Sequence, residues 1–556
     1  MSESKIWATL HPFYEGGEVL GRKVANRSFL QALLRKDPYS AYHFFLDVPQ
    51  QRDRLEDSLR AEFPEIHRRG GFLFGLRRDL PQALASCDYH CFHLSDCFVL
   101  YTALAQARNR YSRSIFPITA PTHSLSYSQY GADFLHHLWA GTSRRDVVAA
   151  TSSAGEQVVL SMYDRLRQGY QLNAEQFRQP QVRIVPLGVE PEDMPAPHER
   201  ERLGAAMRQK LGIAPGETVF LVFARISYLS KMDLLPILRA FKRAEFMGLA
   251  PRSYRFLLAG WQGEDETFGE EMQKFAANLG INFSLAVRPD DEERKALYAC
   301  ADIFLSPSDN LQETFGLTML EAAAAGLPVI ASDFDGYKDL VLHGETGFLI
   351  PTIGPENTDD TNLRSAFAPA AEYHLRLAQQ CVVDVPKMAE SIARLAAEPE
   401  LRRTMGECGR QRAVADYSWS RVIDYYVALW DELAAAGLEP GEEERLRAAV
   451  HPAFPAYMDV FGGYFTDRLG ALEQDGRMVK WSATGEAVYR GRDFPVIYQL
   501  IDDAVCLDDL KRLLFKARNP VSLSELAGDA ACTAPHHDKD FLLLWALKHD
   551  LLEVIS

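Results

Sequence analysis

The sequence lacks long apolar runs, a signal-like amino terminus and an excess of positive charge. No stretch of 18 or more apolar residues occurs, so we expect no segment to span a membrane. The amino terminus carries no basic flank followed by an apolar run, and we therefore expect no signal peptide. A formal net charge of −16 argues against a nucleic-acid-binding protein, because such proteins normally present a basic face.

The cysteines also lack a pattern, since none of the eight belongs to a C-x-x-C pair. A reduced, cytoplasmic protein is the simplest interpretation. Cysteines and histidines crowd together between Cys87 and Cys97, but alternate residues of a strand point to opposite faces and cannot all converge on one metal ion. We predict no metal site there, and none at Cys532 with His536 and His537.

Length and periodicity predict several domains. The 556 residues are too many for one core and suggest two to four domains. Residues 5–190 alternate short β-rich runs with helical patterns, and a second such series runs from TVFLVFARIS to GFLIPT. Each series predicts a parallel, doubly wound α/β sheet. Residues 191–212 are charged and proline-rich at the start, which suits an interdomain connection.

The rest of the chain follows other patterns. Residues 353–383 look like an insertion, and residues 384–437 are helical in pattern. From about 445 to 556, a small hairpin region (RMVKWSATGEAVYRG) and three short helices resemble a winged-helix-like module. Between Asp508 and Ser556, six Lys/Arg minus eight Asp/Glu leave a charge of about −2, a poor footprint for DNA. We predict a packing or dimerisation module.

The most informative segment contains Glu313 and Glu321, with Phe315–Gly316–Leu317 between them and a helical pattern after them. A helix that begins near Gly316 presents unpaired amides at its positive end, where a diphosphate can bind. Eight residues at ~1.5 Å each put the two glutamates roughly 12 Å apart. That span suits a nucleotide-sugar, with one carboxylate for sugar hydroxyls and the other for ribose hydroxyls.

This segment resembles the donor-binding signature of the retaining, family 4 type glycosyltransferases (glycosyl transferases group 1) of the GT-B fold. Those enzymes carry two glutamates separated by seven residues, with Phe-Gly-Leu between them and a Gly-Leu-Pro-Val-Ile strand afterwards. The sequence from Asp309 to Thr314, DNLQET, resembles a bacterial subgroup with a DNxQETFGL motif.

The resemblance implies a fold and domain boundaries. Two Rossmann-like, doubly wound domains would face each other across a cleft, an acceptor-side domain over residues 1–190 and a nucleotide-sugar donor domain over 205–420. The insertion at about 353–383 would belong to the second domain. A helix at 421–440 would return to the first domain, and residues 445–556 would form the accessory module.

The resemblance also implies the roles of individual residues. Glu313 would orient the sugar and Glu321 the ribose, within the signature that includes Phe315, Gly316 and Leu317. Arg225 and Lys231, in FARISYLSKMD, would grip the donor diphosphate. Fixed cations there would stabilise the charge that the leaving group gains. This sequence has one residue more between the two cations than the commonest family spacing, and Ala224 stands where glycine is usual.

Residues of the first domain complete the predicted site. Gly16 and Gly17 follow the first strand, where the family places a glycine-rich loop near the phosphates and the sugar. His123, in ITAPTHS, matches the family histidine that faces the sugar across the cleft. His93 loosely matches an acceptor-side histidine, although Cys91 occupies a position usually taken by another histidine. A structural role is the alternative for His93.

An Asp-x-Asp sequence, Asp333–Phe334–Asp335, resembles the metal-binding motif of the other glycosyltransferase fold. It follows the PVIAS strand, where the family has a loop, and Arg225 with Lys231 already supply positive charge. We interpret it as structural and expect no obligatory metal or other cofactor besides the donor.

The leading hypothesis is a retaining, hexosyltransferase-type glycosyltransferase. It would move a sugar from a UDP-, GDP- or ADP-sugar to a glycan or lipid-linked acceptor. The sequence offers no unambiguous nucleophile on the first domain for a covalent intermediate, so a front-face reaction is preferred. The alternatives are a sugar phosphorylase or epimerase of the same fold, and a catalytically idle assembly scaffold.

The sequence leaves two contacts with partners undecided, one with a membrane surface and one with a second copy of the chain. Residues 68–78, RRGGFLFGLRR, place four arginines around an apolar run. This pattern fits peripheral contact with the inner face of a membrane that carries the acceptor. It fits more simply a buried strand with solvated ends. A homodimer formed through the carboxy-terminal module is the second open contact.

Overall fold

The structure is a computed structural model that describes residues 5–15, 21–195, 197–498, 501, 504–529 and 539–555. The chain divides into two units, Met1–His451 and Pro452–Ser556. The first unit contains two parallel sheets of the Rossmann type, each with helices on both faces.

The first sheet has seven parallel strands in the order β3-β2-β1-β4-β5-β6-β7. The central strands are buried, which explains why they consist of apolar runs rather than alternating patterns. The strands are β1 (Ile6–Thr9), β2 (Ala41–Leu46), β3 (Phe72–Leu76), β4 (Cys91–His93), β5 (Ile118–Pro121), β6 (Val147–Ala150) and β7 (Gln181–Ile184). The helices are α1 (Gly21–Lys36), α2 (Pro49–Glu62), α3 (Pro64–Arg68), α4 (Leu80–Ser86), α5 (Tyr101–Tyr111), α6 (Tyr130–His137) and α7 (Ser153–Tyr170).

The second sheet has six parallel strands in the order β10-β9-β8-β11-β12-β13. The strands are β8 (Thr218–Phe223), β9 (Tyr254–Gly260), β10 (Phe283–Val287), β11 (Ile303–Ser306), β12 (Val329–Ser332) and β13 (Gly347–Ile350). The helices are α8 (Pro197–Lys210), α9 (Leu235–Phe246), α10 (Phe268–Asn278), α11 (Asp291–Cys300), α12 (Leu317–Ala324) and α13 (Tyr337–Leu340).

The segment predicted as an insertion is closed by a short antiparallel pair, β14 (Thr352–Ile353) with β15 (Val382–Val383). Between these strands lie α14 (Asp359–Ser365) and α15 (Ala370–Ala378). Because its two ends pair with each other, the insertion leaves and rejoins the second domain at one place.

Four helices then follow: α16 (Val385–Ala397), α17 (Pro399–Tyr417), α18 (Trp419–Ala435) and α19 (Glu442–Ala448). Helix α18 returns to the first domain, where Trp419 and Trp430 join its hydrophobic core. The indole of Trp430 donates a hydrogen bond to Thr119 Oγ1 on β5 at 2.7 Å. The chain is therefore anchored to the first sheet a second time, about 300 residues after β5.

Several histidines of the first domain are buried among apolar groups. His93 and His137 are each 1% exposed. The His93 imidazole contacts Thr119 Oγ1 at 2.8 Å and packs on the ring of Phe29, so this residue lies in the core. His137 contacts the Tyr163 hydroxyl at 2.7 Å. Burial lowers the pKa of His93 to about 3 and that of His137 to about 4.

These histidines predict an acid-sensitive first domain. Between pH 6.5 and about 4 the unfolded chain binds protons that buried His137 does not, so stability rises with pH in this window and is lost on acidification. At pH 5 this single group should cost about 2 kcal/mol relative to pH 7. Urea unfolding at both pH values should show a smaller difference for His137→Gln than for the unaltered chain. Equal differences would contradict the assignment.

The second unit contains a three-stranded antiparallel sheet in the order β17-β16-β18. Its strands are β16 (Met478–Trp481), β17 (Val521–Ser522) and β18 (Leu552–Ile555). Its helices are α20 (Tyr457–Phe461), α21 (Leu469–Gln474), α22 (Ala483–Tyr489), α23 (Leu507–Lys516), α24 (Leu523–Asp529) and α25 (Lys539–Lys548).

The hairpin predicted for RMVKWSATGEAVYRG is wrong. The segment forms β16 and then α22, because Ser482 caps the helix by accepting a hydrogen bond from Gly485 N at 3.0 Å. Strand β16 pairs instead with β17 and with β18, which lie far along the chain. The third of the short helices was predicted to run on to the end of KDFLLLWALKHDLLEVIS, but α25 ends at Lys548 and Leu552–Ile555 form strand β18. The winged-helix-like description of this unit stays a prediction.

Two further observations bear on membranes. The FLFGL run forms β3, an edge strand paired in parallel with β2. Within the residues that the structure describes, no helix combines the length and the apolar character needed to cross a bilayer.

Candidate functional site

The predicted donor residues gather at the carboxyl ends of the second sheet, the edge at which open α/β sheets bind ligands. Arg225 and Lys231 follow β8, and the Glu313 loop follows β11. Helix α12 begins at Leu317 with Gly316 as its N-cap, as the sequence predicted. Glu321 is the fifth residue of α12, little more than one turn into the helix.

Glu313 is held by a charged and hydroxyl-bearing cluster. Its carboxylate pairs with the Lys231 ammonium, and these side chains are 16% and 15% exposed. The Tyr337 hydroxyl lies 3.3 Å from both Lys231 Nζ and Glu313 Oε2, and 2.9 Å from Ser306 Oγ. Four residues from three separate segments of the chain therefore meet at one place.

The electrostatics of this cluster favour the ionised pair. Burial alone would raise the pKa of Glu313, but Lys231, together with the backbone amides of Phe315 and Thr314, holds that pKa below its ordinary value. Burial would likewise lower the pKa of Lys231, and Glu313 with Tyr337 raise it instead. Both groups are charged at neutral pH, so the cluster contains a nearly buried ion pair.

Arg225 differs from Lys231 in its surroundings. Its guanidinium donates to Ser230 Oγ at 3.1 Å and forms no ion pair with any carboxylate in the described part of the chain. It is half-buried. One predicted phosphate ligand is therefore already paired with Glu313, while the other keeps donors for a phosphate.

Glu321 has partners that sequence reasoning did not identify. Arg294 Nη1 donates to Glu321 Oε1 at 2.9 Å, and the Tyr298 hydroxyl donates to Oε2 at 2.8 Å. Burial raises the pKa of Glu321, while Arg294 and Tyr298 oppose that rise. Carboxylate oxygens accept more than one hydrogen bond each, so the side chain keeps acceptors for a vicinal diol.

Gly316 is required by the geometry of the helix start. Its φ of +115° is disfavoured for residues with a side chain, and an added Cβ would lie 2.7 Å from the ring of Tyr337. The neighbouring Phe315 is 3% exposed and packs in the core, whereas Leu317 is half-buried. Glycine is therefore required where the chain turns into α12 beside the ring of Tyr337.

A Gly316→Ala substitution should therefore destabilise the fold by about 1 to 3 kcal/mol, because the strained φ and the Tyr337 contact act together. Urea unfolding measures the loss. Gly169→Ala is the matched control, since no atom lies within 4 Å of the position that its new methyl group would occupy and its backbone is helical. Equal stability of the two variants would show that the contact with Tyr337 is unimportant.

The first domain contributes histidines at the ends of β1 and β5. His123 Nε2 contacts the Ser95 carbonyl at 2.8 Å, and burial lowers the pKa of His123 to about 4. His11 Nδ1 accepts a hydrogen bond from Ser95 N at 3.0 Å. Burial lowers the pKa of His11, and the nearby Asp96 carboxylate opposes this effect. Asp96 also caps the following turn by accepting a hydrogen bond from Phe98 N. Gly16 and Gly17 lie outside the described residues.

His11 and Asp96 lie beside His123, around Ser95, and were not among the residues predicted from the sequence. Both directly follow strand patterns, IWATL for His11 and CFHLS for Asp96. Polar residues at the carboxyl ends of neighbouring parallel strands are a signal that could have identified them.

The insertion reaches the first domain through His374, which is completely buried. Its imidazole contacts Gln312 Nε2 at 2.9 Å on one side and Ser126 Oγ at 2.9 Å on the other. Its ring also packs edge-on against Tyr127. Gln312 directly precedes Glu313, so the insertion links the donor-site loop to the loop after β5.

The Asp-x-Asp segment is part of a turn. Asp335 has a φ of +41° and accepts a hydrogen bond from Tyr337 N at 3.3 Å. Burial raises the pKa of Asp335, and Glu313 raises it further. Within the described residues, no group of three or more His, Cys, Asp or Glu side chains has the arrangement of a metal site.

Comparisons of sequence agree with this geometry. Residues 205–360 match the family model described as glycosyl transferases group 1. The chain is 29% identical over 297 residues to a D-inositol 3-phosphate glycosyltransferase from Saccharomonospora viridis, covering 51% of this chain and 59% of that protein. It is 36% identical over 150 residues to one from Nocardia farcinica, covering 26% and 32%. The chain spans about half the length of the first curated relatives it matches.

Solved structures share the fold. HepE from Anabaena, solved in complex with UDP, is 15% identical with a TM-score of 0.51, covering 77% of this chain and 100% of that chain. A glycosyltransferase from Rickettsia africae is 13% identical with a TM-score of 0.53, covering 78% and 100%. The predicted fold class is confirmed: the chain has a GT-B fold of two Rossmann-like domains, and residues 205–360 of the second match the glycosyl transferases group 1 model.

Proposed function

We propose that this chain is a retaining, hexosyltransferase-type glycosyltransferase of the family 4 type. It transfers a sugar from a nucleotide-sugar to a glycan or lipid-linked acceptor. The observation that carries this proposal is the cluster of Lys231, Glu313 and Tyr337 at the start of α12, with Glu321 farther along the same helix. These groups would offer a cation, the amides at the start of α12 and two carboxylates to a nucleotide-sugar.

Each group has a chemical role in the proposed reaction. The α12 amides and Arg225 bind the diphosphate, and Lys231 offsets the charge that develops on the leaving group. Glu313 orients the sugar hydroxyls, and Glu321 accepts from the ribose. The leaving phosphate assists removal of the acceptor proton on the same face of the sugar, which gives retention without a protein nucleophile.

Closure of the two domains supports this chemistry by excluding water. The Ser152 hydroxyl donates to the Thr314 carbonyl at 2.8 Å, directly beside Glu313. The Ser153 hydroxyl donates to Asp339 Oδ1 at 2.6 Å. Together with the His374 contacts, these bonds hold the first domain over the loop that carries Glu313.

The test is a panel of UDP-, GDP- and ADP-sugars, with released nucleoside diphosphate and thermal stabilisation as readouts. One donor should raise the melting temperature and release its nucleoside diphosphate when acceptor is present. Nucleoside diphosphates that raise no melting temperature would overturn the donor-site assignment. Release that depends on inorganic phosphate would favour a phosphorylase instead.

The two ends of the donor site can be separated by variants. Glu321→Ala should weaken binding of the free nucleoside, because it removes the ribose acceptor. Arg225→Ala should weaken binding of the nucleoside diphosphate but leave the nucleoside unaffected. Equal losses of nucleoside binding in both variants would contradict the assigned roles.

A further inference from the structure

A pocket of about 390 Å³, separate from the candidate donor site, lies on the domain that carries Glu313. Its wall includes Asp302, directly before β11, and Gly326 and Pro328, directly before β12. The pocket therefore lies at the amino ends of these parallel strands. The candidate donor site follows their carboxyl ends, so the two sites are on opposite edges of the sheet.

The wall of this pocket is positively charged. It contains Arg200 from α8, and three arginines together with Glu407 from α17: Arg402, Arg403 and Arg410. With Asp302 and Glu407 as its carboxylates, four positive minus two negative charges leave +2. This local excess contrasts with the net charge of −16 of the whole chain.

The pocket carboxylates do not neutralise these arginines. Asp302 is engaged by Arg208, outside the pocket wall, at 2.6 Å. Arg403 pairs with Glu400 at 2.8 Å. The other three pocket arginines form no ion pair with any carboxylate that the structure describes. Burial lowers the pKa of Arg200, and the neighbouring Arg410 lowers it further against the effect of Asp302.

Backbone carbonyls accept hydrogen bonds from only some of the donor nitrogens of these arginines. Arg410 Nη1 donates to Ala324 O, the last residue of α12, at 2.9 Å. Arg402 Nη1 donates to Leu395 O at 2.6 Å and to Ala396 O at 3.0 Å, near the end of α16. These bonds cap helix ends. The bonds of Arg402 and Arg410 use one terminal nitrogen of each guanidinium and leave its other donors available. Arg200 differs, because Nη1 donates to Gly326 O and Nη2 to Ala301 O, both at 3.2 Å, so it contributes charge rather than free terminal donors.

We propose that this pocket binds a phosphorylated small molecule. Guanidinium groups present planar pairs of donors that match two phosphate oxygens. A phosphate dianion would balance the excess of two positive charges. The volume falls in the range of about 300 to 1,000 Å³ that is typical of small-molecule sites. The proposal rests on the pocket alone and does not depend on the proposed transferase reaction.

The test is calorimetric titration of the full chain with inorganic pyrophosphate at low salt. Binding at the pocket should weaken about ten- to a hundredfold in Arg402→Gln, because one charge-assisted contact is removed. Arg402→Lys should recover only part of the affinity, since it keeps the positive charge but not the planar pair of guanidinium donors. Arg60→Gln removes an equivalent charge from an exposed ion pair with Glu56 and is the matched control.

Two further variants keep the result decisive. Arg403→Gln changes an exposed side chain paired with Glu400, so it should fold normally and still weaken binding severalfold. Arg225→Ala should remove pyrophosphate binding at the donor site but spare the pocket. Affinity at the pocket that is unchanged in Arg402→Gln and Arg403→Gln would overturn the proposal. So would an equal loss in Arg60→Gln, which would indicate nonspecific attraction.

Discussion

A Lys231→Ala variant is expected to lose turnover by about 10²- to 10³-fold, the cost typical of removing one group that stabilises transition-state charge. It should also unfold more easily, by about 3 to 5 kcal/mol, because it leaves Glu313 nearly buried without its cation. Turnover is measured as release of nucleoside diphosphate from the donor that stabilises the protein. Stability is measured by urea unfolding.

A double variant separates the two effects. Lys231→Met with Glu313→Gln removes both charges and keeps similar volumes, which is often neutral for stability at buried ion pairs. Stability should return in the double variant, whereas turnover should stay low because both functional groups are absent. A single variant with normal turnover, or a double variant as unstable as the single one, would contradict this account of the cluster.

The second large effect is expected in the first domain, at Arg108 and Asp146. Their side chains are 0% and 1% exposed. Arg108 Nη2 donates to Asp146 Oδ2 at 3.1 Å, and Arg108 Nη1 also donates to the Phe116 carbonyl at 2.9 Å. This pair ties α5 to the start of β6 beneath the sheet. Arg108→Ala should cost about 3 to 5 kcal/mol, since it leaves a buried carboxylate without its cation.

Unfolding of Arg108→Ala in urea, followed by tryptophan fluorescence, measures this cost. The control is Arg110→Ala, because Arg110 is exposed on the same helix. Its loss should stay within about 0.5 kcal/mol. If Arg108→Ala behaves like Arg110→Ala, the buried pair does not support the domain. Donor binding should be unaffected in those molecules that remain folded, since Asp146 directly precedes β6, whereas Ser152, which contacts the loop of Glu313, follows that strand.

Local patterns were enough to predict the strands of both sheets. Parallel strands buried on both faces are continuous apolar runs, such as VVAA in β6 and IFLS in β11. Such runs can be recognised in a single sequence. The start of α12 was also predictable, because glycine before a helical pattern marks the turn into a helix. The β16 segment was misread although Ser482 is a local signal for the start of α22. The partners of the strand lie elsewhere in the chain, so only tertiary pairing shows where β16 belongs.

The candidate site was predictable only in part. A family resemblance pointed to Glu313, Glu321, Arg225 and Lys231, and the structure brings Glu313 and Lys231 into contact across 82 residues of sequence. Nothing in the local pattern around Arg294 or Tyr298 marks them as partners of Glu321. The same holds for His374, which sits in an insertion and has no periodic signal that relates it to Ser126.

Sequence composition and tertiary structure therefore answer different questions about this protein. Periodicity predicted two parallel α/β sheets, because it is a local property of each segment, and the summed charge argued against nucleic-acid binding. Which side chains meet was decided by packing: the Lys231–Glu313 pair, the His374 bridge and the arginine pocket all join segments that are distant in sequence. Contacts of that kind depend on how the elements pack, and a local pattern carries no record of them.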